Sequence, residues 1–456
     1  MIVLDTTIIN VALPSIRTSL GFSETALVWV VNAYMLTFGG CLLLGGRLGD
    51  LFGHRRLFLI GLALFTGASL LCGLAHSQTI LVAARALQGI GGAVVSAVAL
   101  SLIMMLFTEA TERTKALGVF GFVAAGGGSV GVFLGGLLTH YFNWNWIFLV
   151  NIPIGIIVIA LSILYLPKDR PTLQTQSLDV MGATTITSSL MLAVYAIVNG
   201  NASGWTSAQT LSLFSIAIAL FALFIAIESK VKSPLMPLSL FRIRNITVSN
   251  IIAVVWAAAI FAWFFIVALY LQFILGLNPL YVGLAFLPAN IIMALFSLGI
   301  SAKVVMKWGI KPTLTVGLLL AALSLGLLAR SPVNGQFMVH VLPSMCLLGL
   351  GGGLAFNPML LAAMNDAAPE DAGVASGLVN TAFMMGGAVG LAILASLASA
   401  QTTRLLMAGA TETVALNSGY HVAFLAGAIF AAIGAGVAWK FLKITKPVDP
   451  SAAHTH

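Results

Sequence analysis

Charge is the scarcest property of this sequence: Asp, Glu, Lys and Arg make up only 7% of 456 residues, against 60% hydrophobic residues. A soluble domain usually carries about 25% charged residues, so a water-soluble fold is excluded. Cysteine is nearly absent as well. Cys41, Cys72 and Cys346 all fall inside apolar runs, which leaves no disulfide framework in the loops. His76, His140, His340 and His421 sit singly near the ends of those runs, so no metal-ligand spacing and no clustered acid–base chemistry of an enzyme can be assembled from them. No phosphate-cradling loop is present, which argues against ATP as a partner, and no cleavable signal precedes a soluble domain. No cofactor is implied.

What is present is a succession of apolar runs long enough to span a bilayer. They lie near 1–16, 27–46, 57–76, 80–107, 116–139, 146–166, 180–198, 209–228, 246–274, 281–302, 312–329, 338–363, 375–399 and 421–439, which predicts an all-α membrane protein of about fourteen helices. The first run reaches only to Arg17, roughly 24 Å of helix against a hydrocarbon core of about 30 Å, so a truncated first span is expected. The formal net charge of +8 reports topology and not a nucleic-acid partner. If the first span enters from the cytoplasm, Arg47, Arg55, Arg56, Arg113, Lys115, Lys168, Arg170, Lys230, Lys232, Arg242, Arg244, Lys303, Lys307, Lys311, Lys440, Lys443 and Lys446 face the cytoplasm, while only Arg17, Arg330 and Arg404 face outward. That asymmetry is the positive-inside pattern, and it places both termini in the cytoplasm of a cell that holds the protein in its inner membrane.

The two ends of the chain resemble each other. Gly53 to Gly61 aligns with Gly309 to Gly317, Gly89-Ile-Gly91-Gly92 with Gly349-Leu-Gly351-Gly352, and Gly127-Gly-Ser-Val-Gly131 with Gly386-Gly-Ala-Val-Gly390. Each alignment carries a span onto one an even number of crossings later, so the repeats run parallel. Two six-helix bundles are expected, with a substrate site between them near the midplane. The chain then divides into a first bundle over 1–166, an inserted helix pair over 167–228, an amphipathic cytoplasmic linker over 229–245, a second bundle over 246–443 and a disordered tail over 444–456.

Within the spans, charged residues are so rare that each one asks for a role. Asp5 is the one acid clearly inside a span, and intramembrane acids commonly mark proton relays. The alternative is a helix-end acid at the surface. Arg85 is the one basic residue at depth and requires a partner or a water-filled cavity, with Gln88 one turn away on the same face. Gly127, Gly131 and Gly135, with Gly136 beside them, form a thin face for close helix contact, either as plain packing or as a sliding contact between bundles. The turn Gly46-x-Leu48-x-Asp50-x-x-Gly53-x-Arg55-Arg56 mixes glycine with both signs of charge and must lie at the membrane surface. Asp50 can there meet free helix N–H groups or pair with Arg55 or Arg56, as an inner gate or as a solvated turn. Asn10, Asn32, Tyr34, Gln88, Phe265 and Gln272 are candidates for a substrate cavity.

These segments together resemble the fourteen-spanner drug:proton antiporter branch of the major facilitator superfamily, over nearly the whole chain. The turn signature carries the superfamily likeness; Leu4-Asp5-Thr6-Thr7-Ile8-Ile9-Asn10-Val11-Ala12-Leu13-Pro14, Trp146-Ile-Phe-Leu-Val-Asn151-Ile-Pro153-Ile-Gly155 and Pro234-Leu-Met-Pro237-Leu-Ser-Leu-Phe241 resemble motifs of the branch. The resemblance implies a proton-driven exporter of amphiphilic small molecules, with Asp5 the acid of proton coupling, Arg85 the cavity arginine and Asp50 with Arg55 the inner gate. Two departures stand out. The branch's helix 5 motif has a proline where this chain has Val132, which removes the usual cause of a bend there. The tenth span has no acid, which points to neutral, monocationic or anionic substrates over dications. A facilitator or importer of a dedicated metabolite on the same fold is the competing reading.

Overall fold

The computed structural model describes residues 1–107, 109–169, 179–231, 234–367 and 372–443; inside helices, the side chains of Asp50, Leu298, Ala372 and several residues between 110 and 126 lie outside that set. The expected tail over 444–456, together with Arg113, Arg170 and Lys232 of the basic loops, also falls outside it. All regular structure among the described residues is helical: α1 (Ile2–Leu20), α2 (Glu24–Phe52), α3 (His54–Gly73), α4 (Gln78–Leu106), α5 (Ala110–Tyr141), α6 (Trp146–Leu149), α7 (Asn151–Tyr165), α8 (Val180–Ser203), α9 (Ala208–Glu228), α10 (Arg244–Leu269), α11 (Pro279–Leu295), α12 (Ser301–Trp308), α13 (Ile310–Leu328), α14 (Leu342–Met364), α15 (Ala372–Met407) and α16 (Glu412–Phe441). Eleven described segments are long and apolar enough to cross a bilayer. Helices suit that solvent because they satisfy every interior backbone group locally.

Polar residues at the turns decide where the helices begin. Ser23, Ser77, Ser207 and Asn278 accept from the amides of Ala26, Ile80, Thr210 and Tyr281 at 3.1, 3.3, 3.2 and 3.0 Å, each supplying a partner that the first helical turn lacks. The first helix runs past Arg17 to Leu20 and stops at Gly21, whose φ of 67° is a left-handed cap. Its 19 residues give about 28 Å, close to a full crossing and longer than the sequence pattern suggested. The last helix likewise starts nine residues earlier than its apolar run, at Glu412. The linker between α9 and α10 carries a short 3₁₀ turn, Leu238–Arg242, and α10 begins at Arg244, inside the segment expected to lie on the surface.

The repeat seen in the sequence recurs as repeated backbone contact. A side chain at Gly91 would meet Phe65 N at 2.6 Å and Gly61 O at 2.9 Å, and one at Gly351 would meet Gly317 O at 2.6 Å and Ala321 N at 2.8 Å. The aligned glycines thus seat α4 on α3 and α14 on α13 in the same way. Gly131 faces Leu4 O on α1, while its counterpart Gly390 faces the backbone of Ala258 on α10. Gly53 and Gly309 both turn the chain at positive φ, 94° and 88°. In a bilayer, where apolar burial gives little drive, such close backbone approach supplies the packing energy. The two sets of helices meet where α2 packs on α15, α5 on α11 and α1 on α10, while α8 lies against both α2 and α15 and carries α9.

Gly91→Val forces α3 and α4 apart and is expected to destabilise by about 1–3 kcal/mol. Gly67, which has nothing within 4 Å, provides the control: Gly67→Ala is expected to be neutral or to stabilise by up to ~1 kcal/mol. Thermal unfolding of the purified variants in detergent measures both, and equal melting temperatures would contradict the packing account.

Candidate functional site

The rarest residues of the spans come together. Asp5, on the first turns of α1, is 0% exposed, and Arg85 on α4 is 1% exposed. Arg85 Nη1 donates to Asp5 Oδ2 at 2.6 Å and to Gln88 Oε1 at 2.5 Å, while its Nε donates to the Val30 carbonyl of α2 at 2.9 Å. Gln88 Nε2 then donates to Asp5 Oδ1 at 2.8 Å and to Ser69 Oγ of α3 at 2.8 Å, and Asn151 Nδ2 of α7 donates to Asp5 Oδ1 at 2.9 Å. Five helices therefore converge on one carboxylate. The guanidinium also approaches two rings, with its carbon 4.4 Å from the Tyr34 centroid and 5.7 Å from that of Phe148. Such contacts compensate a buried cation for lost water.

The close approach of α1 to this cluster depends on the glycines of α5. Gly131 and Gly135 leave room for Leu4 O and Ile8 O, 2.8 and 2.5 Å from where a Cβ would stand, and Gly127 faces Val3 more loosely. Gly136 points to the other side, toward Pro279 O and Gly283 of α11. One stripe thus contacts both sets of helices. Val132 is buried between them, its carbonyl 3.0 Å from where a Cβ on Gly283 would stand.

The remaining candidates are dispersed. Tyr34 belongs to the cluster, and its hydroxyl is buried without a hydrogen bond, as is Asn151 Oδ1. Asn32 instead bridges the α2–α15 seam, donating to the Ala388 carbonyl at 2.8 Å. Gln272 donates to Val11 O at 2.9 Å, tying the π turn after α10 to α1. Asn10 bonds back to carbonyls of its own helix, and Phe265 is buried in the core. Near Gln272, the helix ends at the Gly21 turn are laced together: Glu24 accepts from Arg17 at 3.4 Å and from the Tyr420 hydroxyl at 3.0 Å.

At the opposite end, the glycine and charge signature makes a contact that the sequence does not suggest. Asp169 supplies the carboxylate at the start of α3: its two oxygens accept from Arg55 N and Arg56 N, both at 2.9 Å, and Arg55 Nη2 donates to Ile163 O at 2.6 Å. Gly53 is required beneath it, since a Cβ there would collide with that carboxyl. A carboxylate at the start of α3 is thus supplied by Asp169, while the side chain of Asp50, expected there, lies outside the described residues. Gly46, on α2, faces Ala97 of α4. Asn151 stood in a quoted motif and Asp169 was one acid of thirteen, but Ser69 and Val30 carry no signal that distinguishes them in a sequence.

A chain of apolar helices with a buried charge network and a repeated helix arrangement defines a multi-pass membrane transporter. The model of the Major Facilitator Superfamily matches residues 1–391, and the chain belongs to that family. It is 38% identical over 421 residues to the puromycin resistance protein pur8 of Streptomyces alboniger, covering 92% of this chain and 83% of that protein. It is 36% identical to the cephamycin export protein CmcT of Amycolatopsis lactamdurans, covering 94% and 87% of the two chains. Among solved structures, it matches a D-xylose–proton symporter with a TM-score of 0.67 at 15% identity, covering 97% of this chain and 95% of that one. The inward-open xylose transporter XylE from E. coli gives a TM-score of 0.62 at 16% identity, over 98% and 94%. At these identities the structural matches establish the transporter fold alone.

Removing one member of the buried pair leaves the other uncompensated. Arg85→Gln is expected to cost about 3–5 kcal/mol, and adding Asp5→Asn to recover most of it. A double-mutant cycle on thermal stability measures the coupling, and additive effects would show that the two side chains do not depend on each other.

Proposed function

We propose that this protein is a proton-coupled exporter of hydrophobic and amphiphilic small molecules, working by alternating access between two six-helix bundles. The single observation that carries the reading is the buried Asp5–Arg85 network on the first and fourth helices. Relatives named for puromycin resistance and cephamycin export support the direction and the substrate class. Counting α1, α5 and the continuous run of α11 and α12 with the eleven apolar segments gives fourteen crossings, with α8 and α9 as an inserted pair and both termini cytoplasmic. The Asp169-capped turn then lies inside, and the Glu24–Tyr420 contacts close the outer face.

The coupling step follows from electrostatics. A proton on Asp5 cancels its attraction for Arg85 and removes one acceptor from Gln88 or Asn151, so the five-helix junction loosens. Substrate and proton then favour different arrangements, and each acts through its differential affinity for them. Moving one proton inward releases about 2.3 kcal/mol per 100 mV and about 1.4 kcal/mol per pH unit, enough for a substrate gradient of a few hundredfold.

Proteoliposomes loaded with a pH dye and given a panel of amphiphilic drugs including puromycin test the reading. Wild type is expected to move protons only when drug is present, and Asp5→Asn to lose at least tenfold of that flux while retaining drug binding. Drug movement without protons in the wild type would instead support a facilitator.

A further inference from the structure

An apolar cavity lies away from the charge network. It measures about 510 Å3 and is bounded by α2, α8, α9, α10, α15 and the linker, including Gly40, Leu190, Phe224, Met236, Asn250 and Met385. No residue of α1, α4, α5 or α14 lines it, so it is separate from the Asp5 site. Its size suits a small organic ligand and its walls are almost wholly apolar. Three further lining residues, Phe221 on α9 and Ile251 and Val254 on α10, are exposed, and α9 packs chiefly on α8, so the cavity opens sideways between α9 and α10 toward lipid.

One helical turn beyond its walls stand two buried carboxyls. Asp179 and Glu228 are 4% and 3% exposed and adjoin each other over Gly182, and Asp179 Oδ2 and Glu228 Oε1 are buried without a hydrogen-bond partner among the described residues. Glu228 follows Phe224 by four residues on α9, while Gly182, which lies under both carboxyls, precedes Ile186 and Leu190 of the cavity wall on α8. Glu228 Oε2 also accepts from the amide of Met236 at 3.1 Å, whose side chain lines the cavity, and Asp179 Oδ1 accepts from Gly182 N at 2.7 Å. Arg47 holds the linker to α2 through Pro234 O at 2.8 Å, but neither carboxyl has an ion pair among the described residues. The site therefore sets an apolar chamber beside two adjoining buried carboxyls that have no ion pair among the described residues.

We propose that this flank cavity is a second binding site, for a single-tailed organic cation that enters from the lipid, lays its chain along α8, α9 and α15 and sets its cationic head at Asp179 and Glu228. The probe is a trimethylammonium compound with a diazirine-bearing dodecyl chain, applied to the full-length protein in phosphatidylcholine nanodiscs, with the uncharged alcohol of the same chain as comparator. Photo-adducts mapped by mass spectrometry are expected on the lining segments of α8, α9 and α15. Glu228→Gln, which preserves shape, is expected to cut labelling by the cation about tenfold and leave the alcohol unchanged; Ile186→Trp, which fills the chamber, is expected to abolish both. Equal labelling of wild type and Glu228→Gln by the cation, or adducts confined to α1, α4 and α14, would overturn the proposal. Labelling lost in Ile186→Trp but indifferent to Glu228 would overturn it too, in favour of a neutral acyl chain as the occupant.

Discussion

A carboxylate and a guanidinium cannot be stored separately in a membrane interior, and the first half of this protein is arranged so that they never are. Asp5 reaches Arg85 only because α1 lies within backbone contact of α5, and that distance exists only because Gly131 and Gly135 carry no side chain. Gly89 and Gly91 do the same for α4 against α2 and α3, which brings Val30, Tyr34 and Ser69 within reach of the pair. The charge network and the glycine packing are thus mutually dependent. Packing places the charges, and the charges give five helices a reason to meet at one point.

The proposed alternating access asks for a seam that can part. The contacts between the two sets of helices include single hydrogen bonds and close approaches of small residues, such as Asn32 to Ala388, Gln272 to Val11 and Gly136 to Gly283. Interhelical hydrogen bonds in bilayers are worth only about 0.6 kcal/mol on average. On the proposed coupling, such bonds ask little of the free energy that one proton would supply, whereas the Asp5 junction inside the first set is costlier to disturb.

Much of this was legible in the sequence, for a physical reason. Hydrocarbon penalises charge so strongly that Asp5 and Arg85 announce themselves by rarity, and the offset between glycine motifs anticipates the shared contacts of Gly91 with Gly61 and Gly351 with Gly317. Helix ends were less legible, since Leu20 closes one helix and Glu412 opens another, each through a polar terminal turn. Least legible were partners chosen by tertiary approach. Asp169 lies over a hundred residues from the amides it accepts, and Asp50 stood closer in the chain. The Asp179–Glu228 pair joins the two ends of a helical hairpin, which no local pattern reveals.

The central claim is that substrate and proton compete through Asp5. The most direct measurement is proton release on drug binding by detergent-solubilised protein in weakly buffered solution, with no membrane and no gradient. The account predicts about one proton released per drug bound in the wild type and none in Asp5→Asn. Proton release that persists undiminished in Asp5→Asn would contradict it.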